Sequence, residues 1–119
     1  MPNERGTVVI VSKLIVLSNP VEGKEDEFNK WYDQQHVPDI MRVPGVVGAQ
    51  RFRGGAGTKS GVGSFRYLAI FDIESPEPGL VVDEIMRRSG TDEMPRSDAI
   101  SSTRFAMLYE PIGNRLEKA

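Results

Sequence analysis

The chain contains one histidine, His36, the only side chain in it whose unperturbed titration lies between pH 5 and 8. It stands in the segment FNKWYDQQHVPDI, Phe28 to Ile40, four residues after Tyr32 and two before Pro38. An imidazole there could act as a general acid or base. On a helical wheel His36 falls about 80° from Phe28, at the rim of the apolar stripe where a side chain can border a cavity. The same position also suits a structural imidazole that complements the dipole at a helix C-terminus. Trp31 and Tyr32, on the stripe with Phe28, serve equally well as core packing or as the walls of a ligand pocket. Asp39 could orient His36 or share its proton chemistry, or it could simply cap a new helical turn. Asp33 and Gln34 fall on the solvent side. Further aromatic candidates for lining a dry pocket come later in the chain: Phe65, Tyr67 and Phe105. Arg51, Arg53 and Arg66 could present guanidinium groups to a carboxylate, or pair with Asp72 and Glu74.

Other chemistries lack their residues. There is no cysteine, which excludes thiolate nucleophiles, disulfides and Cys-ligated metals, and one histidine among scattered carboxylates makes no metal site. The glycine-rich GGAGTKSG has Thr58 rather than glycine before Lys59 and no helix pattern after it, so it fails as a phosphate-binding loop and reads as a mobile hairpin tip over Gly54 to Gly63. No cofactor is expected. With 15 Lys+Arg against 17 Asp+Glu, the chain lacks the basic excess that draws domains to nucleic acid. The start, MPNERGTVV, makes a poor signal peptide, no apolar run spans a bilayer, and a cysteine-free chain suits a reducing compartment. A cytoplasmic location without membrane contact is the expectation.

The elements that must position these residues follow from periodicity. At 119 residues, with 39% hydrophobic and 27% charged content, the chain fits one globular domain over 1–119, its core about 8–113 between loose tails. Thr7 to Leu17 is dense in β-branched residues and reads as a strand. From Lys24 the period changes to 3.6, with Glu25, Asp26 and Glu27 in the first turn. Pro38 should end that helix near His36, and PDIMRV should form a separate short turn. Val46 to Arg53 and Phe65 to Ile73 read as strands. Ser75-Pro76 offers a cap for a second helix ending at Gly90, and Ile100 to Tyr109 is the last strand.

The order β-α-β-β-α-β is the split βαβ pattern of an α+β, ferredoxin-like fold: a four-stranded antiparallel sheet with two helices on one face. The third strand is apolar on both sides, with Tyr67, Ala69, Phe71 and Ile73 opposed by Leu68 and Ile70, and the fourth repeats this with Phe105, Met107 and Tyr109. Two helices cover one face only. A homodimer packed through the other is the economical way to cover it.

The string Phe28 to Ile40, with SNPVEGKEDE upstream and RVPGVVGAQRFR downstream, resembles the EthD-like group of the dimeric α/β-barrel superfamily. The shared residues are Phe28, Trp31-Tyr32, His36 and Pro38, and RYLAIFDIES and LYEPIG extend the likeness from Leu14 to Gly113. The resemblance implies a dimeric α/β barrel and a pocket for a small organic molecule between helices and sheet. Relatives across that superfamily include cofactor-free monooxygenases, lactone isomerases, polyketide cyclases and haem-handling enzymes. The expected function is therefore a cofactor-independent lyase, isomerase, cyclase or oxygenase acting on an aromatic or cyclic substrate, with His36 as acid/base. The alternatives are a non-catalytic binding or accessory protein of a degradation pathway and, ranked lower, a haem-binding protein with His36 as axial ligand.

Overall fold

The computed structural model describes residues 9–55 and 64–119. The expected N-terminal tail, the first residues of the first strand and most of the glycine-rich tip lie outside them. Strand β1, Ile10–Ser18, leads into helix α1, Glu25–Trp31, a π-helical turn, Tyr32–His36, and helix α2, Val37–Met41. Strands β2, Val46–Arg53, and β3, Tyr67–Ser75, follow, then helix α3, Pro78–Arg88, and strand β4, Phe105–Tyr109. The strands form one antiparallel sheet in the order β2-β3-β1-β4, the ferredoxin-like arrangement with the two long strands central.

Alternation decides which side chains meet the helices. Leu14 of β1 stands opposite Phe71 and Leu108, and Ser12 opposite Ile73, all on the helix side. Along β3 every second residue, Tyr67, Ala69, Phe71 and Ile73, is buried there against Phe28, Tyr32 and Ile40 of the first helix and Val81 and Ile85 of α3. Burying one such phenylalanine contributes about 2–3 kcal/mol. The loop after α3 adds Met94 and Ala99 to the same core.

Three expected boundaries are corrected. Pro38 does not end the first helix: Val37 keeps helical angles, φ −60° and ψ −48°, and the chain runs on helically to Met41. A proline inside a helix collides with the carbonyl four residues back, here that of Gln34. The wider π-turn just before it relieves that conflict, with the Val37 N–H donating to the Tyr32 carbonyl five residues back. The second helix begins at Pro78 rather than at Ser75-Pro76, because the Ser75 hydroxyl accepts from the Glu77 N–H in a local turn that spends its capping capacity. The last strand is only Phe105–Tyr109, while Ile100 makes an isolated bridge to Pro20.

Gly45 closes the turn between α2 and β2 at φ +99°, and its carbonyl accepts from the Glu74 N–H at 2.9 Å. A bulge between Val46 and Gly48 then sets the β2 register against β3.

Candidate functional site

The first helix brings its aromatic residues together because the π-turn inserts an extra residue between Tyr32 and His36 without turning either away from the sheet. The His36 ring stacks on Trp31, with centroids 4.5 Å apart and planes 22° from parallel, and meets Tyr32 edge-on at 5.1 Å. Tyr32 in turn contacts Phe28 at 5.4 Å, and Phe28 contacts Tyr67 of β3 at 5.1 Å. An aromatic chain therefore runs from His36 at one end of the helix–sheet seam to Tyr67 at the other.

Within that chain His36 Nδ1 is buried and has no hydrogen-bond partner. Burial pulls the imidazole down to about 4 from its ordinary value of 6.5, Arg104 adds to the lowering, and the nearby charge of Asp39 opposes both. His36 is thus a neutral base at pH 7. It lies inside a continuous helix, so a role at a helix C-terminus is not open to it. Asp39, only 4% exposed, accepts from Gln35 Nε2 at 2.6 Å and from Arg42 Nη1 at 2.5 Å, so each carboxylate oxygen holds a donor. That corrects the capping account of this residue, which belongs to the middle of a helix and not to the start of one.

Arg51, on the helix side of β2, spans the aromatic chain. Its guanidinium sits 4.4 Å from the Tyr32 ring centroid and donates to Asp33 Oδ1 at 2.7 Å and Asn29 Oδ1 at 2.8 Å. Burial raises the Tyr32 phenol, while Arg51 and a hydrogen bond with Ser18 act against that rise. At the far end Glu25 receives the Tyr67 hydroxyl and pairs with Arg66 at 2.9 Å, contacts that hold its carboxyl below the ordinary range, the Tyr67 bond foremost. Arg51 and Arg66 are therefore committed to helix carboxylates and not to Asp72, which pairs with Lys13 on the opposite sheet face.

Of the residues expected at a site, His36, Trp31, Tyr32 and Tyr67 are joined through Phe28, and Asp39 is adjacent. Phe105 is not part of that group. It pairs with Leu17 on the sheet face away from the helices and is 41% exposed. Phe65, half-buried just ahead of β3, makes no ring contact with the cluster. Asn29 was missed as a neighbour of the site, and Arg51, expected to present its guanidinium to a carboxylate or to pair with Asp72 and Glu74, instead reaches Asn29, Asp33 and the Tyr32 ring; its even spacing from Ala49 on β2 was the available signal.

Clefts open elsewhere among the described residues. One, of about 540 Å³, lies on the outer side of the first helix between Glu27, Lys30 and Trp31 and the loop residues Arg96, Ser97 and Asp98. Another, of about 390 Å³, lies beside Leu80 and Val81 of α3 under Pro44 and Pro76. His36 lines neither. Among the described residues no group of His, Cys, Asp and Glu could hold a metal ion, and no helix is long and apolar enough to cross a membrane.

No family profile and no curated sequence matches the chain. Solved structures do. An ethyl tert-butyl ether degradation (EthD) family protein from Bacillus halodurans superposes with a TM-score of 0.60 at 22% identity, over 87% of this chain and 100% of that one. A candidate monooxygenase from Shewanella loihica gives 0.60 at 12% identity, over 90% of this chain and 99% of that one. An arginine-to-serine mutant of MhuD, with two manganese protoporphyrin IX molecules bound per active site, gives 0.58 at 18%, again over 90% and 99%. This chain shares the ferredoxin-like fold with all three.

Proposed function

We propose that the protein is a cofactor-independent enzyme for a small aromatic or cyclic molecule, with His36 as the base. One observation carries this: a buried imidazole nitrogen without a partner, held neutral among Trp31 and Tyr32. In the tautomer that carries its proton on Nε2, the neutral ring has a lone pair on Nδ1 with no competing donor, so an acidic C–H or O–H of a substrate brought against it could lose its proton there. The imidazolium so formed gains from the negative charge of Asp39, which Gln35 and Arg42 hold in place. Loss of a proton from the substrate is the first step common to lyase, isomerase, cyclase and cofactor-free oxygenase chemistry on such rings. The neighbours described as a monooxygenase and as an EthD family protein are consistent with this class.

A panel of polycyclic phenols and lactones tests the assignment. His36→Ala should lower turnover by about a hundredfold while preserving the fold, as loss of a general base does. Unchanged turnover in that variant defeats the assignment.

A specific observation favours the second candidate, a non-catalytic binder: His36 lines neither cleft, and the larger reaches only the Trp31 ring stacked on it. Saturable binding with no turnover anywhere in the panel selects it. Haem binding ranks last, because the one histidine that could ligate iron is stacked on Trp31 and edged by Tyr32. A Soret band on titration with haemin would be its signature.

A further inference from the structure

The cleft on the outer side of the first helix has one wall made by the helix and one by the loop after α3. Glu27, Lys30, Trp31 and Gln34 recur at helical spacing and share the outer face. The opposite wall is fixed at both ends. Met94 and Ala99 are buried in the core, the Trp31 Nε1–H donates to the Pro95 carbonyl at 3.2 Å, and the Val21 N–H donates to the Ala99 carbonyl at 2.7 Å. The walls tied in this way hold open a shallow, solvent-facing cleft of about 540 Å³, wide enough for a planar ring lying against Trp31.

Its charges are not balanced internally. Asp98 pairs with Lys24 at 3.4 Å. Lys30 has no ion-pair partner among the described residues. The Arg96 side chain lies across Gly90, where a Cβ would come within 3.1 Å of its Nε, and that Nε donates to Ser89 Oγ at 3.4 Å. Its terminal nitrogens make no hydrogen bond among the described residues, so the half of the guanidinium that grips a carboxylate is left over. Glu27 is the remaining unpaired carboxylate of the lining. Two unpaired cations therefore face one unpaired anion beside the indole of Trp31.

We infer that this cleft binds a planar aromatic anion, its ring against Trp31 and its carboxylate between Arg96 and Lys30. The inference is independent of any chemistry at His36. The probe is 1-naphthoate, with neutral 1-naphthamide as control, followed through the indole N–H resonance of Trp31, which is the only tryptophan in the chain. Naphthoate should shift that resonance saturably and bind about tenfold more tightly than naphthamide, the ratio expected for one charge-assisted contact. In Arg96→Gln and in Lys30→Gln/Arg96→Gln that preference should shrink towards unity while naphthamide binding is unchanged. Glu27→Gln should strengthen naphthoate a few-fold, as removal of a like charge does. Turnover of the phenol and lactone panel should be unchanged in Lys30→Gln/Arg96→Gln, which separates this site from the proposed reaction. Equal binding of the two probes, no shift of the indole resonance, or a preference that survives the double substitution would overturn it.

Discussion

His36 combines an imidazole with surroundings that resist its protonation. Stacked on Trp31 and held at about 4 mainly by burial, it stays neutral in the fold where a free histidine takes up a proton near 6.5. The sign of the linkage follows. Between those two values the unfolded chain binds a proton that the folded chain refuses, so stability falls as pH drops from about 6.5 to about 4. The loss amounts to about 3 kcal/mol for this one group. Urea titrations of the native protein and of His36→Gln over that range should differ by such an amount in their pH dependence; parallel curves would mean that the imidazole is not buried neutral. Because protonated histidine quenches a stacked indole, Trp31 emission should drop with a midpoint near pH 4 and show no such step in His36→Gln. Glu84, gripped on the surface by Arg87 and Arg88, titrates near 2 and lies below this window.

Two elements show how backbone geometry places these groups. The π-turn at Tyr32–His36 accommodates Pro38 and keeps Tyr32 and His36 on the same side of one helix. Deleting Gln34 should restore α-helical register, rotate His36 away from Trp31, and move its titration upward by a unit or more, readable from the imidazole proton resonances. At the other end of α2, Gly45 combines φ +99° with a position where a Cβ would meet Val81 Cγ2 at 2.7 Å. Gly45→Ala should cost about 1–3 kcal/mol in urea unfolding through strain and overpacking together. The sequence made the strands and the apolar stripe of the first helix legible, because period 2 and period 3.6 are local signals. It concealed the π-turn, since a proline reads as a stop unless the preceding carbonyl is known to have moved aside. It likewise showed His36, Trp31 and Tyr32 as neighbours, but the stacking that lowers the imidazole and the reach of Arg51 from β2 are tertiary facts. Phe105 was misplaced for a related reason: with a loop of unknown path before it, the parity of β4 cannot be read from composition.

At the scale of the molecule, the sheet has one face under helices and one that, among the described residues, carries none. On the uncovered face Ile15 and Leu17 of β1 lie between Leu68 and Ile70 of β3 and Phe105 and Met107 of β4, with Phe52 beyond Leu68 on β2. Phe52, Phe105, Met107 and Tyr109 are each more than two-fifths exposed. A contiguous apolar surface of this kind is uncommon on a monomer. An ion pair, Lys13 with Asp72, sits towards an end of the patch, giving the apolar centre and polar margin of a protein interface. We expect a homodimer joined through this face, with the helices of both copies outward. Light scattering at micromolar concentration should return twice the monomer mass. Met107→Glu sets two carboxylates near the centre of a two-fold interface, where each must be desolvated without a partner, and should give a monomer of unchanged circular dichroism. Leu80→Glu, at a still more exposed position on α3, should leave the dimer whole and so controls for charge alone. A native chain that stays monomeric, or a Met107→Glu variant that stays dimeric, would show that the open face has another purpose.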